Sequence, residues 1–156
     1  MGPLVTKPHF EKVKGYVDQG VAEGATLLVD GRGVKVAGHE EGYFLGPCLF
    51  DNVKPGMVIY QEEIFGPVLS ILTFRTVDEA IEKANNTAYG LSAGVWTDKG
   101  SRILKLSTEL KAGVVWANTY NKFDPASPFG GYKESGFGRE GGRHGLTAYL
   151  ATGGAR

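Results

Sequence analysis

The segment whose residue types have the clearest chemical use is 62–67, with the sequence EEIFGP. Two acids followed by an aromatic residue, a glycine and a proline form a rigid turn that can present a carboxylate and a ring to one cavity. A carboxylate can accept two hydrogen bonds from a ribose diol, and an aromatic ring can pack against a nicotinamide. The same residues also fit an acid at a helix start followed by a core phenylalanine. On the residues alone, both interpretations stay open.

A second candidate is Gly136–Gly141, where three glycines have the spacing of a dinucleotide-binding fingerprint. That fingerprint needs a strand before it and a helix start after it, so that a pyrophosphate meets free backbone N–H groups. Here Lys133–Ser135 is not an apolar strand, and Gly142–Gly145 is not a convincing helix start. Gly131 and Gly136, with Lys133, likewise miss the spacing of a phosphate-binding loop, because no Lys-Ser or Lys-Thr follows Gly136. We therefore interpret the segment as a glycine-rich structural loop.

The single cysteine, Cys48, is the obvious nucleophile to test. An activated cysteine needs a neighbouring base or a helix N-terminus, and Gly46–Phe50 offers only apolar neighbours in a predicted strand. We expect a buried, inert thiol. His9, His39 and His144 are far apart and none has a partner at metal-ligand spacing, so we predict surface or loop positions and no metal site.

Around these candidates, the pattern predicts α/β structure with a mainly parallel sheet and flanking helices. Apolar residues spaced by three and four predict a helix over 9–22, with Gly24 as its C-terminal cap. Short apolar runs predict extended segments, and the run at Val68–Phe74 is typical of a strand covered on both faces. The predicted extended segments are Thr26–Val29, Tyr43–Phe50, Val68–Phe74, Ala93–Thr97 and Val114–Ala117.

In the second half of the chain, Thr76 and Glu79 have the spacing of a capping box and predict a helix start. We expect Gly90 to end that helix in a left-handed conformation. Asp98 is the predicted cap of the next helix, whose end Gly113 marks. From Thr119 to Gly145 the apolar residues show neither helix nor strand periodicity, which indicates a long ordered loop of the kind that forms binding sites.

Composition excludes several classes of function. The chain has 156 residues, a length that predicts a single domain, and its 17 basic residues balance 17 acidic ones. No global field therefore attracts nucleic acid or an anionic membrane surface. Apolar runs are far shorter than the roughly 20 residues that span a bilayer. With one cysteine, the chain fits a reducing compartment, and we predict a cytoplasmic protein.

Four segments resemble the aldehyde dehydrogenase superfamily, in the order that the family has them. Segment 62–68 resembles its glutamate–phenylalanine motif, and segment 127–136 (SPFGGYKESG) resembles its C-terminal glycine-rich motif. The other two segments are Ala84–Ala93 and Gly113–Asn118. The resemblance runs from Gly2 to about Tyr149, so it implies a partial catalytic domain over 1–150, the C-terminal part of that domain, followed by a tail at 151–156.

The resemblance also implies roles for particular residues. Glu63 would hold the nicotinamide-ribose hydroxyls of NAD or NADP, and Phe65 would pack beside the nicotinamide. Asn121, Phe123 and Phe129 would line the tunnel for the aldehyde substrate. In the family, a cysteine thiolate attacks the aldehyde, a hydride passes to NAD(P)+, and the acyl group goes to water or coenzyme A. The complete enzyme would be a homo-dimer or tetramer.

The resemblance implies as well that the family's nucleophilic cysteine, general-base glutamate, oxyanion asparagine and dinucleotide-binding fold lie upstream of Gly2. We therefore expect no catalytic residue in this chain, and no aldehyde oxidation by the isolated polypeptide. An alternative is a non-catalytic assembly module that complements a separate chain carrying the cysteine. The first half of the chain is similar to the methylmalonate-semialdehyde branch, whereas Ser127–Arg139 is closer to hydrolytic members, so the acyl acceptor stays open.

Overall fold

In a computed structural model, which describes residues 1–151, the chain consists of two compact units, Met1–Arg75 and Thr76–Arg156. The length alone predicts one domain, so the division is a finding of the structure. Residues 152–156, nearly all of the predicted tail 151–156, lie outside the described residues. The assignment of 1–150 to one partial domain stays a prediction.

Unit 1, Met1–Arg75, places one long helix against a three-stranded sheet. Its elements are α1 (Lys7–Ala22), β1 (Thr26–Val29), β2 (Cys48–Asp51), α2 (Val58–Gln61) and β3 (Val68–Ser70). Strand β2 is central, antiparallel to β1 and parallel to β3. The core lies between α1 and this sheet, where Val13, Val17, Cys48 and Phe50 are fully buried.

Helix α1 begins two residues before the predicted start at His9 and ends at the predicted Ala22. The Thr6 hydroxyl accepts the backbone N–H of His9 at 3.3 Å, which caps the first turn. Gly24, at φ 91°, takes the left-handed conformation beyond the last turn. In between, a Cβ on Gly20 would lie 2.9 Å from Ile59 and 3.0 Å from Phe50, so the glycine lets the helix approach the sheet closely.

Strand β2 is shorter than the predicted Tyr43–Phe50. Pro47 has no N–H to give to a ladder, and the segment before it bonds elsewhere: the N–H of Gly46 donates to the carbonyl of Gly31 at 2.9 Å. A Cβ on Gly31 would lie 2.1 Å from the carbonyl oxygen of Gly46, so the backbones of these two glycines are in direct contact. Strand β3 likewise stops at Ser70, although Ile71 still donates to Phe50 at 2.9 Å.

Unit 2, Thr76–Arg156, contains two small sheets. Its elements are α3 (Val77–Asn85), β4 (Tyr89–Gly90), β5 (Ser92–Val95), α4 (Gly100–Glu109), β6 (Val114–Ala117), β7 (Tyr132–Lys133) and α5 (Gly142–Thr147). Strands β5 and β6 are parallel and are joined by α4, which is the crossover that the alternating pattern predicts. Strands β4 and β7 form an antiparallel pair. The predicted α/β class is confirmed.

Two local predictions in unit 2 are wrong. Thr76 caps α3 by accepting the N–H of Glu79 at 3.1 Å, as predicted, but α3 ends at Asn85. Gly90 lies in β4, where a Cβ would be 2.5 Å from the carbonyl oxygen of Lys111, so close packing and not a left-handed turn requires the glycine. Helix α4 is preceded by Lys99 and not by Asp98, and no side chain caps it. The Thr97 hydroxyl accepts the Lys99 N–H at 3.2 Å in the turn before the helix.

Candidate functional site

The turn at 62–66 in unit 1, here called the acidic turn, contains two adjacent glutamates that differ in their hydrogen bonding. The hydroxyl of Tyr16 donates to a carboxylate oxygen of Glu62 at 2.6 Å. Glu63 is exposed and makes no hydrogen bond or ion pair with any residue from 1 to 151. Of the two acids, only Glu63 thus keeps both carboxylate oxygens for a ligand.

Phe65 has a left-handed backbone conformation that the sequence does not predict. Its φ is 55°, in the left-handed region that bulky residues rarely enter, and its side chain is 75% exposed. Such a backbone costs on the order of 1–3 kcal/mol and persists only where its surroundings hold it. The alternative interpretation of Phe65 as a core residue is therefore excluded; the core position in this turn belongs to Ile64, which is buried.

Helix α1 forms the surface on which the acidic turn rests. His9, Val13 and Tyr16 lie at helical spacing i, i+4, i+7 on one face of α1. The Nε2 of His9 lies 2.8 Å from the carbonyl oxygen of Phe65, and a Cβ on Gly66 would lie 2.6 Å from a Val13 methyl. His9 was predicted at the surface and is half-buried against the turn. Sequence reasoning missed His9 and Tyr16, although their shared helix face was a usable signal.

The predicted tunnel residues lie in unit 2 on a chain of aromatic contacts, here called the aromatic wall. Phe123 and Phe129 meet edge to face with centroids 5.0 Å apart, and Trp116 meets Phe123 at 5.4 Å. Tyr120 and Trp96 extend the wall through contacts at 4.8 Å and 6.4 Å. Two of the three predicted tunnel residues are thus neighbours. Sequence reasoning missed Trp116 and Tyr120.

Beside the aromatic wall is a cavity of about 290 Å³, whose lining includes Trp116, Phe123 and Phe129. The indole N–H of Trp116 donates to the carbonyl of Lys122 at 3.1 Å and fixes the loop that carries Phe123. Asn121 is exposed, has φ 54° and does not line this cavity. The structure therefore brings Phe123 and Phe129 together at this cavity, and Asn121 is not among the residues that line it.

The glycine-rich segment has a structural role, as the sequence predicts. Gly136, Gly138 and Gly141 all have positive φ. The guanidinium of Arg139 donates to the carbonyls of Gly131 at 3.0 Å and Gly138 at 2.6 Å, which folds the loop back on itself. The strand before it, β7, has only two residues, and both are exposed. A helix, α5, does begin at Gly142, contrary to the prediction, but it has only six residues and none of them is buried. The context of a dinucleotide fingerprint is therefore missing.

Cys48 and the remaining histidines offer no second site. Cys48 is 1% exposed, and its sulfur accepts the N–H of Gly31 at 3.3 Å. It is a packed thiol, as predicted. Within residues 1–151, no group of three or more His, Cys, Asp or Glu side chains could hold a metal ion. No helix in that range is long and apolar enough to cross a membrane.

With this geometry in place, comparisons with known proteins define the class. The model of the aldehyde dehydrogenase family matches residues 1–153. The chain is 48% identical over 149 residues to a protein of Bacillus subtilis named putative aldehyde dehydrogenase DhaS, which covers 96% of this chain and 29% of that protein. It is 49% identical over 148 residues to human mitochondrial aldehyde dehydrogenase, with 95% of this chain and 28% of that protein covered.

Among solved structures, betaine aldehyde dehydrogenase from Staphylococcus aureus in complex with NAD+ matches with a TM-score of 0.92 at 39% identity. The match covers 97% of this chain and 30% of that one. The chain belongs to the aldehyde dehydrogenase family. It spans less than a third of the length of the relatives that it matches. The similarity of its first half to the methylmalonate-semialdehyde branch stays a prediction.

Proposed function

We propose that this chain supplies the cofactor-facing turn and part of the substrate tunnel of an NAD(P)-dependent aldehyde dehydrogenase, which oxidises an aldehyde to an acid or an acyl-CoA. The observation that carries the proposal is that the two glutamates of the acidic turn differ in their hydrogen bonding. Tyr16 engages Glu62, while Glu63 has no partner among the described residues and Phe65 exposes its ring beside it. The Staphylococcus aureus relative was solved with NAD+, which supports the choice of cofactor.

The residues of the acidic turn fit a nicotinamide nucleotide. The carboxylate of Glu63 can accept a hydrogen bond from each hydroxyl of a ribose diol, because neither of its oxygens is engaged. The exposed ring of Phe65 offers an apolar face to a flat heterocycle. When bound, the cofactor accepts the hydride that leaves the substrate. The role of this chain would be to fix the ribose and to limit the rotation of the nicotinamide ring.

Phe123 and Phe129 would supply an apolar wall for the aldehyde. Their edge-to-face contact at 5.0 Å and the adjacent cavity of about 290 Å³ support this role. We also propose Asn121 as a tunnel residue, and this proposal rests only on its position in the family resemblance. Water would be excluded by the rings while the polar carbonyl of the substrate reaches the reacting groups.

The nucleophile is not assigned to this chain. Cys48 is 1% exposed and accepts a backbone N–H, so its sulfur cannot reach an aldehyde. We propose that the isolated chain does not oxidise aldehydes and that the complete enzyme is a homo-dimer or tetramer. Aldehyde-dependent reduction of NAD+ or NADP+ by the purified chain would contradict the first statement.

For location, we propose the cytoplasm, which the single free thiol supports. The human relative is named mitochondrial, so fractionation of cells that express the protein is the deciding measurement.

The test of the proposed function compares two adjacent substitutions. Glu63→Gln removes the charge from the unpartnered acid, and Glu62→Gln removes it from the acid that Tyr16 holds. NAD+ is titrated into each protein and followed by the NMR signals of the Ile64, Phe65 and Gly66 amides. We expect Glu63→Gln to weaken NAD+ binding about tenfold or more, the size of charge-assisted hydrogen bonds, and Glu62→Gln to change it less than threefold.

A chimera adds a kinetic readout. This chain replaces the matching 149 residues of the Bacillus subtilis relative, and hydride transfer is measured with and without Glu63→Gln. Slower hydride transfer is expected in the variant. Equal NAD+ affinity and equal rates for wild type and Glu63→Gln would remove Glu63 from the cofactor site.

A second candidate function is an assembly module that complements a separate chain carrying the cysteine. The observation in its favour is a groove of about 420 Å³ in unit 1 with an almost wholly apolar lining, which includes Val29 and Leu69. Both side chains are exposed, at 44% and 60%. Co-expression with a candidate partner, followed by co-purification, separates this function from that of a segment within one polypeptide.

A further inference from the structure

The imidazole of His9 contacts the acidic turn at its most strained point. Its Nε2 lies 2.8 Å from the carbonyl oxygen of Phe65, and the two rings meet nearly edge to face at 6.3 Å. A carbonyl oxygen can only accept a hydrogen bond, so the Nε2 of His9 must carry the proton. The backbone at Phe65 is therefore held by a donor from α1, 56 residues away in sequence.

The backbone and the ring of His9 are both restrained, so His9 can hold the carbonyl of Phe65 in a fixed position. It belongs to the first turn of α1, where its backbone N–H is bonded to the Thr6 hydroxyl at 3.3 Å. The ring is half-buried, which restricts its rotamers. A side chain that is fixed at its backbone and packed at its ring loses little entropy when it makes a hydrogen bond.

Three contacts from one helix face fix the acidic turn. Tyr16 bonds Glu62 at the start of the turn, and fully buried Val13 packs under Gly66 at its end. His9 bonds the carbonyl of Phe65 between them. Of these three contacts, the one from His9 is a hydrogen bond to Phe65 itself, the residue with φ 55°.

We propose that His9 is a positioning residue for the cofactor site: its Nε2–H holds the left-handed Phe65 backbone, and so aims the Phe65 ring and the Glu63 carboxylate at a nicotinamide nucleotide. This inference rests on the proposed function for the identity of the ligand. It adds a residue outside the acidic turn whose role is to fix the turn before the ligand arrives, which lowers the entropic cost of binding.

The experiment uses the whole chain and four variants. His9→Ala removes the ring, His9→Phe keeps a ring but has no donor, and His9→Gln offers an amide N–H in its place. His39→Ala, in the same unit and away from the acidic turn, is the matched control. Two readouts need no cofactor: the one-bond Cα–Hα coupling of Phe65, which reports its backbone conformation, and hydrogen exchange at the Val68 amide, which is bonded to the Gly66 carbonyl at 2.8 Å.

In His9→Ala and His9→Phe we expect the Phe65 coupling to leave the left-handed value and the Val68 amide to exchange about tenfold faster, the effect of one hydrogen bond. His9→Gln should restore both readouts, and His39→Ala should match wild type. Because His9→Phe retains the packing, it keeps the test valid if His9→Ala folds poorly. Wild-type readouts in His9→Phe would overturn the inference, since the donor would then be irrelevant.

Titration with NAD+ separates this inference from the proposed function. If both are right, His9→Phe weakens NAD+ binding about tenfold and His9→Gln recovers it to within threefold. If Glu63→Gln leaves NAD+ affinity unchanged while His9→Phe still releases the Phe65 backbone, the proposed function fails, and the role of His9 in aiming the acidic turn at a nicotinamide fails with it. If Glu63→Gln weakens binding while His9→Phe changes neither backbone nor affinity, the proposed function stands and the inference is wrong.

Discussion

Arg32 connects two acidic residues of unit 1 that are twelve positions apart. Its guanidinium donates to both carboxylate oxygens of Asp30, at 2.8 and 2.5 Å, and also to Asp18 on α1. The side-chain hydrogen bond from Arg32, followed by its backbone N–H, lowers the pKa of Asp30 from 3.8 to about 2. The bond to Asp30 in turn raises the pKa of Arg32. The pair ties the turn after β1 to α1.

This ion pair gives a signed pH dependence. A carboxyl whose pKa is lower in the folded state contributes stability above its unfolded pKa and loses that contribution as pH falls through its folded pKa. For Asp30 the contribution is complete above about pH 4 and is lost toward pH 2. In Arg32→Ala we expect the pKa of Asp30 to rise back toward 3.8. Carbon NMR of the Asp30 carboxyl measures it, with Arg102→Ala on α4 as control; an unchanged pKa in Arg32→Ala would contradict the assignment.

Single residues differ sharply in how far sequence predicts them. Cys48 was predictable, since apolar neighbours on both sides of a lone cysteine indicate burial. From residue types alone, Glu63 was predictable only as one of two acids, and the family resemblance was needed to choose it, because the contact that engages Glu62 comes from Tyr16, 46 residues away. The left-handed backbone of Phe65 was not predictable, since local preference opposes it and the contact that we propose to hold it comes from His9, 56 residues away.

At the scale of elements, the glycine-rich loop is closely packed against the end of α4 and the start of β6. A Cβ on Gly113 would lie 1.6 Å from the carbonyl oxygen of Gly130, a distance that no side chain can accommodate. On β4, the carbonyl of Gly90 accepts the N–H of Gly113 at 3.1 Å. The loop therefore owes its position to backbone-on-backbone contact.

Gly113→Ala should push the glycine-rich loop away from β6. Overpacking of this kind costs about 1–3 kcal/mol and more where backbone must move, so we expect a loss of at least that size in the free energy of unfolding. Gly100→Ala is the matched control, because nothing lies within 4 Å of its added Cβ and Gly100 is the first residue of α4. That control should be neutral or stabilising by up to about 1 kcal/mol. Denaturant titration followed by tryptophan fluorescence compares the two, and equal stability would contradict the packing argument.

Elements with local signals were predicted and those without were not. Helices α1 and α3 have capping hydroxyls at Thr6 and Thr76, and the helix period fixes their buried faces. Strand β4 and its partner β7 have two residues each, too few for any period to show, and their pairing joins positions more than 40 residues apart. The start of α4 was predicted one residue too early: Lys99 has the cap position without a side-chain cap, and its N–H bonds the Thr97 hydroxyl in a turn just before the helix.

Across the whole molecule, the buried core is unevenly shared. Of the twelve buried hydrophobic residues among those described, all but Ile81 and Val95 belong to unit 1. Unit 2 has instead exposed aromatic side chains, Trp96 at 64% and Phe123 at 56% among them. Because burial of apolar area is the main source of stability, unit 1 should be the more stable of the two.

Hydrogen exchange should reveal this difference in the isolated chain. We expect the slowest amides in β2 and in the part of α1 around Val13 and Val17, and exchange at least tenfold faster in β5 and β6. Mass spectrometry of peptides from a labelled sample measures both units in one experiment. Equal protection of β2 and β5 would mean that unit 2 is stabilised by something other than its buried side chains.

The backbone of Phe65 has a consequence for protein engineering. Glycine at that position would adopt φ 55° without strain, so screening for heat resistance would favour Phe65→Gly even though it removes the exposed ring. Under the proposed function, stability and cofactor binding therefore make opposite demands on this one residue. A library ranked only by melting temperature would drift toward proteins that fold better and work worse. The strain at Phe65 is consistent with the proposed role of its exposed ring, because stability alone would favour glycine at this φ.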